Sequence, residues 1–309
     1  MIEYTRHHYI PECYLTNFTE DGKGIWVYNK ELSKSYQQSI SNIFNIKNFY
    51  RIDEKDIPET LRNEVSPLYL ERDYFADGVE KMFSICVKDI IQQIDELSTK
   101  TIGITKLSDE FVEAITLFLV IQFLRTPKAR DYIINLHSDT LKQFTEALNN
   151  SSPKENDFIK GMKLQLEIEK STNYPPVFLH ANRTFANNQV VEKFTEDIKN
   201  NIWQIYVSNE DYFFSSDSPI ITELLDRDAD MSDLGLNAHG AIITYPLTKK
   251  ILIRIFERKY FSGFNDIDRN IIWVDKDFIQ YENAKQFWWA DKYIVSANNN
   301  FSWYLNHGG

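Results

Sequence analysis

The sequence predicts an α+β fold: a helical bundle packed against a mainly antiparallel β-sheet formed by the N-terminal strands and the C-terminal third. Three observations predict it. Apolar residues step at three and four positions through the middle of the chain, and at two after about Asn201. A short alternating run near the N-terminus adds early strands. Strands, then helices, then strands is the order of an α+β protein, not of alternating βαβ units. The 309 residues suffice for one large domain or two moderate ones. One domain is expected here, with the N-terminal motif and strands over 1–57, a helical region over 58–200 and a sheet-rich region over 201–309.

Each element has its own warrant. Gly22 and Gly24 punctuate a turn, and Gly24-Ile-Trp-Val-Tyr-Asn29 then reads as a strand. Ile25 and Val27 face one side and Trp26 and Tyr28 the other, so the strand is expected to be covered on both faces. Helical texture begins at about Pro58. Val79, Met82/Phe83, Cys86/Val87, Ile90 and Ile94 make one amphipathic stripe reaching back to about Leu68. Cys86 sits on that stripe as a small core residue.

Ser108-Asp109-Glu110 is a capping sequence that opens a helix from Phe111 to Leu124. Apolar residues lie on nearly every face of it, which marks the central buried helix. Pro127 lacks a backbone donor and clashes with the preceding turn, so this helix should kink or end near Arg125. A further helix runs to about Leu148, another starts at Ser152-Pro153, and Tyr174-Pro-Pro-Val marks a break. Beyond it, Ile202 to Val207, Tyr212 to Phe214, Ala241 to Tyr245 and Ile251 to Ile255 read as strands, with a hairpin connection at Leu247-Thr-Lys-Lys-Ile251. A helix from about Asp277 to Ala290 and a strand from Lys292 to Ser296 follow. The acidic loop from Asp226 to Asp233 is the expected mobile stretch.

Composition narrows the function. Hydrophobic residues at 43% and charged residues at 26% describe a globular chain, not a disordered one. The many aromatic residues are expected in the core, because nothing orders them into a stacking platform. A formal charge of −11 repels polyanions at long range. Nucleic acid or a nucleotide is therefore an expected partner only at a local basic site. Two stretches offer one: Arg125, Lys128 and Arg130, or Lys249, Lys250, Arg254, Arg258 and Lys259. The two cysteines, Cys13 and Cys86, form neither a disulfide framework nor a zinc spacing, which fits a reducing cytoplasm. The N-terminus carries no signal-like run. The most apolar stretch, Ala114 to Leu124, is about eleven residues, short of the roughly twenty that span a bilayer. A cytoplasmic protein with no membrane partner is the expectation.

Three polar motifs could carry chemistry. The first is His7-His8-Tyr9-Ile10-Pro11, followed by Tyr14-Leu15 and Phe18. Neighbours in extended backbone point to opposite sides, so one histidine at most enters a site as base, proton donor or ligand. The other reading is a histidine bonded to backbone that anchors the segment. The second is Gln122-Phe-Leu-Arg-Thr-Pro-Lys-Ala-Arg130, where Gln122 and Arg125 share a helix face and Thr126 adds a hydroxyl beside the break. An arginine in so apolar a helix needs a partner. It is either in a structural ion pair, with Glu71 or Glu80, or a fork for an anionic ligand. The third is Phe214-Ser-Ser-Asp-Ser-Pro219. Asp217 there either accepts amide bonds in a tight turn or serves as a base or metal ligand at a strand end.

Sharper motifs fail. Asp226-Arg-Asp228-Ala-Asp230 imitates a calcium loop, but Met231 stands where glycine must turn and Asn237 where the bidentate glutamate belongs. Nucleophile elbow, Walker loop, dinucleotide fingerprint and zincin helix are all missing from the sequence. Cys13 lies five residues from His8, a separation that says nothing about geometry.

In order, His7-His8-Tyr9-Ile10-Pro11…Tyr14-Leu15…Phe18, Ile25-Trp-Val-Tyr, Asn48-Phe-Tyr50, Arg125-Thr-Pro127 with Arg130, Ser216-Asp217-Ser-Pro219 and Pro246-Leu247 resemble the bacterial family catalogued as domain of unknown function 4238. The resemblance spans about residues 6 to 296. The family's turn is commonly Ser-Asp-Asn-Pro; here Ser218 replaces the asparagine, and Asn283 matches a late recurring asparagine. The resemblance implies that the separated motifs converge, and brings no activity with it. The expected site is then His8, Gln122, Arg125 and Asp217 as catalytic groups, with His7, Thr126, Arg130 and Ser216 binding ligand. His and Asp would move protons and Arg would hold a phosphate, giving a defence- or toxin-like hydrolase of phosphodiester bonds. No metal ligands are assigned, and the cofactor stays open, a divalent metal being one option; the clustered carboxylates of a two-metal site are lacking. The alternative is a non-catalytic sensor or binding protein for a small anionic ligand or a partner protein.

Overall fold

The computed structural model describes residues 5–57, 59, 62–63, 66–98, 106–150, 162–165, 167, 175–186, 188–209, 212–226 and 236–307. The predicted helix start at Ser152-Pro153 and most of the acidic loop after Asp226 lie outside them.

The fold is α+β. Strand β1 (Arg6–His8) leads into a helical turn, α1 (Glu12–Leu15), and then β2 (Gly24–Asn29), β3 (Lys34–Ser39) and β4 (Asn45–Lys47). The helices follow: a stretch wound in the wider π register (Tyr69–Glu80) running into α2 (Lys81–Ser98), then α3 (Asp109–Leu124) and α4 (Pro127–Asn150). After them come α5 (Pro176–His180) and α6 (Asn188–Lys199). The last third holds β5 (Ile202–Ser208), β6 (Ser215–Ser216), β7 (Ile221–Leu224), β8 (Ala241–Thr248), β9 (Ile251–Phe256), β10 (Asn270–Val274), α7 (Lys276–Trp289), β11 (Tyr293–Ser296) and α8 (Ser302–His307).

The strands do not form the one sheet expected. A four-stranded antiparallel sheet runs β3-β2-β11-β6, with Trp26 opposite Ser296. A five-stranded sheet runs β10-β5-β9-β8-β7, antiparallel except for the parallel β10–β5 pair. A separate ribbon pairs β1 with β4, His7 opposite Ile46. The expected join of N-terminal and C-terminal strands is real, but only the first sheet makes it. The reason lies in β2, which is apolar on both faces. Ile25 and Val27 enter the main core, while Tyr28 and Trp26 pack a second cluster with Phe287, Ile294 and Phe301. A strand sandwiched in this way needs its own sheet between two cores.

The expected strand from Tyr212 to Phe214 is irregular, and pairing begins at Ser215. Its ladder groups are taken elsewhere: the Phe214 amide donates to Asn283 Oδ1 (2.7 Å), and Asn283 Nδ2 donates to the Tyr212 carbonyl (2.9 Å). The asparagine matched by the resemblance is thus a clamp that holds this segment off the sheet.

Helix α3 is the buried centre, as its all-round hydrophobicity predicts. Ser108 caps it by accepting from the Phe111 amide (3.2 Å), it ends at Leu124, and Pro127 opens α4. Phe118 stacks on Phe83 of α2 (centroids 3.6 Å apart), and Tyr14 packs against Phe118 and Tyr245. These contacts join the N-terminal segment, the helices and the five-stranded sheet in one hydrophobic cluster. Among the described residues, no helix is long and apolar enough to cross a membrane.

Candidate functional site

Alternation along β1 separates the two histidines. His7 is fully buried; its Nδ1 accepts from the Tyr50 amide (2.8 Å), and its ring lies parallel to that of Tyr50. His8 points the other way, with Nε2 3.5 Å from Glu12. Burial lowers the His8 pKa and Arg125 adds to this, while Glu12 and Glu80 oppose it. Tyr9 offers its carbonyl to Gln122 Nε2 (3.0 Å).

Arg125 is 1% exposed, so where its donors go decides its role. Nη1 donates to Glu80 (2.8 Å), Nη2 donates to the His8 carbonyl (2.6 Å), and the guanidinium lies 4.2 Å from the centre of the Phe75 ring. Of the two sequence readings, the ion pair is the one seen. Glu71 stands in the same group. Burial pushes its carboxyl up to about 7, Arg125 pulls against that, and Glu80 adds to it. Arg130 is turned inward too: Nε donates to His180 Nδ1 (3.1 Å), Nη2 donates to the Phe49 carbonyl (2.8 Å), and the guanidinium sits 3.4 Å over the Phe49 ring. With Nδ1 as acceptor, His180 is neutral and its Nε2–H donates to the Leu124 carbonyl (2.7 Å). Burial, then the Arg130 charge, holds its pKa down to about 3.

Asp217 takes the turn role. Oδ1 accepts from the amide of Asp291 (2.9 Å), and Oδ2 from those of Lys292 (2.7 Å) and Tyr293 (2.8 Å). Burial raises its pKa, and the three amides oppose the rise. Ser216 Oγ accepts from Gln286 Nε2 and from the Ser218 amide. In the structure Arg125 and Asp217, two members of the expected His8–Arg125–Asp217 centre, are hydrogen-bonded to backbone groups and Glu80. Arg125 meets the backbone of His8 and a glutamate, and Asp217 pins the start of β11. Both are committed to neighbours because buried charges without partners are too costly.

The other candidates resolve likewise. Burial pushes the Cys13 thiol up to about 12 and raises that of Cys86, so neither is an activated nucleophile. Three cations of the second basic stretch are paired internally: Lys249 with Glu20, Arg254 with Glu282, and Arg258 with Asp268; Lys259 is exposed. Lys250 donates to the Asn209 carbonyl. Among the described residues, no group of three or more His, Cys, Asp or Glu is placed to hold a metal ion.

Two of the three motifs do meet, at a cavity of about 320 Å³. Gln122, Thr126 and Ala129 come from one face of the α3–α4 junction, and Ser218, Pro219 and Ile220 from the turn after Asp217. Thr222 and Leu224 of β7 and Trp289 at the end of α7 complete the wall. Gln122 is fully buried, and because its Nε2 is committed to Tyr9, Oε1 is the free end of the amide, without a hydrogen-bond partner. Thr222 Oγ1 is likewise buried and unpartnered. Lys128 also lines the cavity, its Nζ 5.0 Å from the centre of the Trp289 ring. Sequence reasoning named Gln122, Thr126 and Lys128 but missed Thr222 and Trp289. The i, i+4, i+7 spacing of Gln122, Thr126 and Ala129 was the available signal; nothing local marks the other two.

An α+β protein with a largely apolar cavity and inward-turned charges is the class that fold and site define. The chain belongs to the family described as protein of unknown function (DUF4238), whose model matches residues 6–300. No curated protein and no solved structure matches it.

Proposed function

We propose that this is a binding protein for a small anionic ligand, held in the cavity between the α3–α4 junction and the Ser218–Leu224 segment. One observation carries the reading: a buried glutamine with an unpartnered Oε1 lines a mostly apolar cavity that also holds a lysine. Ligand sites have this make-up, an apolar body with a few fixed polar groups. An unmet buried acceptor costs about 1–3 kcal/mol, which a bound donor would recover. The free cysteines fit the reducing cytoplasm, where we place the protein. Thermal-shift screening of small organic anions tests the reading. A ligand at about 100 times its Kd stabilises the fold by about 2.7 kcal/mol, and Ala129→Leu, which narrows the cavity, should abolish the shift. A screen in which no compound distinguishes wild type from that variant would overturn it.

A hydrolase of phosphodiester bonds, defence- or toxin-like, is the second reading. What supports it is Glu71, poised at about 7 beside His8 and Arg125, a value suited to acid–base work at neutral pH. The bonded Nη1 and Nη2 of Arg125 count against a phosphate clamp, and its buried Nε, without a partner, is the donor left to such a reading. Expressing wild type beside Glu71→Gln and His8→Ala decides it; identical nucleic-acid integrity in all three cultures would sink the hydrolase.

A further inference from the structure

We infer that the ligand of this cavity is an aromatic carboxylate that carries a ring N–H or O–H; the inference rests on the binding reading above.

The body follows from the walls. Phe123, Tyr132, Pro219, Ile220 and Trp289 line the cavity, and flat rings gain most from such surfaces because each buries a large apolar area in offset or edge contacts. The charge follows from Lys128. No carboxylate among the described residues pairs with it, and its Nζ lies over the face of Trp289. In a chain of formal charge −11, an unneutralised ammonium at a cavity is a place for one negative group.

That group is a carboxylate and not a phosphate. A phosphate brings close to two charges and three acceptor oxygens, and the two neighbouring arginines that could meet them are turned away. Arg125 is held by Glu80 and the His8 carbonyl, and Arg130 by His180 and the Phe49 carbonyl. One lysine, a point charge, matches one carboxylate.

The donor follows from the acceptors. Gln122 Oε1 has its orientation set by the bond from Nε2 to Tyr9, so it can only accept. Thr222 Oγ1 lacks a partner in the same wall and can accept as well. A ring N–H or phenolic O–H would satisfy one of these acceptors, and a plain hydrocarbon ring would leave both unmet.

The test titrates the full chain by calorimetry with indole-3-carboxylate, 4-hydroxybenzoate and benzoate. Indole and phenol serve as neutral controls, and inorganic phosphate and adenosine monophosphate as phosphoryl controls. The two donor-bearing acids should bind most tightly. Lys128→Met, at an exposed position, should weaken them about tenfold, the equivalent of one 1.4 kcal/mol interaction, and leave indole and phenol unchanged. Benzoate should bind less tightly than 4-hydroxybenzoate to wild type. Trp289→Phe should remove the fluorescence change on binding. If the neutral compounds or the phosphoryl controls bind as well as the acids, or Lys128→Met changes nothing, the ligand class is wrong while the cavity still binds. If no probe binds wild type, the class assignment falls; if the wider anion screen is also blank, the binding reading falls with it.

Discussion

Asp217 shows what a single buried carboxylate does when both of its oxygens meet backbone amides. It fastens the Ser216–Pro219 turn to Asp291 and Lys292, just before β11, and to Tyr293, its first residue, through three bonds. Hydrogen bonds to charged groups contribute about 1.5–3 kcal/mol, so Asp217→Ala should cost about 2–4 kcal/mol in urea unfolding. Asp217→Asn, which keeps one acceptor, should cost less. Arg125 is the second test. Arg125→Met leaves Glu80 without its partner and should cost about 3–5 kcal/mol. A double-mutant cycle with Glu80→Gln isolates the pair. Two groups set opposite pH dependences. His180 titrates at about 3 in the fold against its ordinary 6.5. Its contribution is complete above 6.5 and lost as pH falls toward 3. Glu71 is raised from 4.5 to about 7. Its contribution is complete below 4.5 and lost as pH rises through 7. Urea midpoints from pH 4 to 8 should therefore fall less steeply toward acid in His180→Gln. In Glu71→Gln they should gain on wild type toward neutral pH.

At the scale of elements, the pieces set by local chemistry stand where their residues require. Pro127 separates α3 from α4 because it cannot continue the helix of Leu124. Ser108 caps α3 through the Phe111 amide. Ser108→Ala should lower stability by about 1 kcal/mol, read as a shift in denaturation midpoint without a change in slope. The two faces of β2 were readable from alternation alone, and so was the divergence of His7 and His8. Other elements were not. β3 reads Lys-Ser-Tyr-Gln-Gln-Ser, an edge strand with no hydrophobic pattern, and exists because β2 beside it offers a ladder. The π register of Tyr69–Glu80 has no signature in the apolar stripe that leads into α2. The stretch before Ser215 looked like a strand and is not one, since Asn283, 69 residues away from Phe214, takes its amide.

For the whole molecule, the question is how distant segments share one space. The main core gathers residues from Ile10 to Val295, and the second cluster closes the other face of the four-stranded sheet. The cavity forms where α3 and α4 meet β7 and the end of α7, so its walls come from about Gln122 and from Ser218 through Trp289. Trp289→Ala removes one wall and the ring over which Lys128 sits. It should abolish ligand-dependent thermal stabilisation, while the unliganded melting temperature moves little because Trp289 is itself 36% exposed.

The sequence by itself determined the α+β class, the buried central helix, its break at Pro127, the sandwiched strand β2 and the inert place of Cys86. All of these follow from hydrophobic period, capping and proline sterics within a few residues. Tertiary structure alone decided which of two readings each polar motif takes. Arg125 became half of an ion pair, Asp217 a pin for β11, and Gln122 the wall of a cavity. A side chain's commitments depend on which donors and acceptors the fold brings within about 3 Å. For Asp217 those lie 74 to 76 residues further along the chain, beyond the reach of any local pattern.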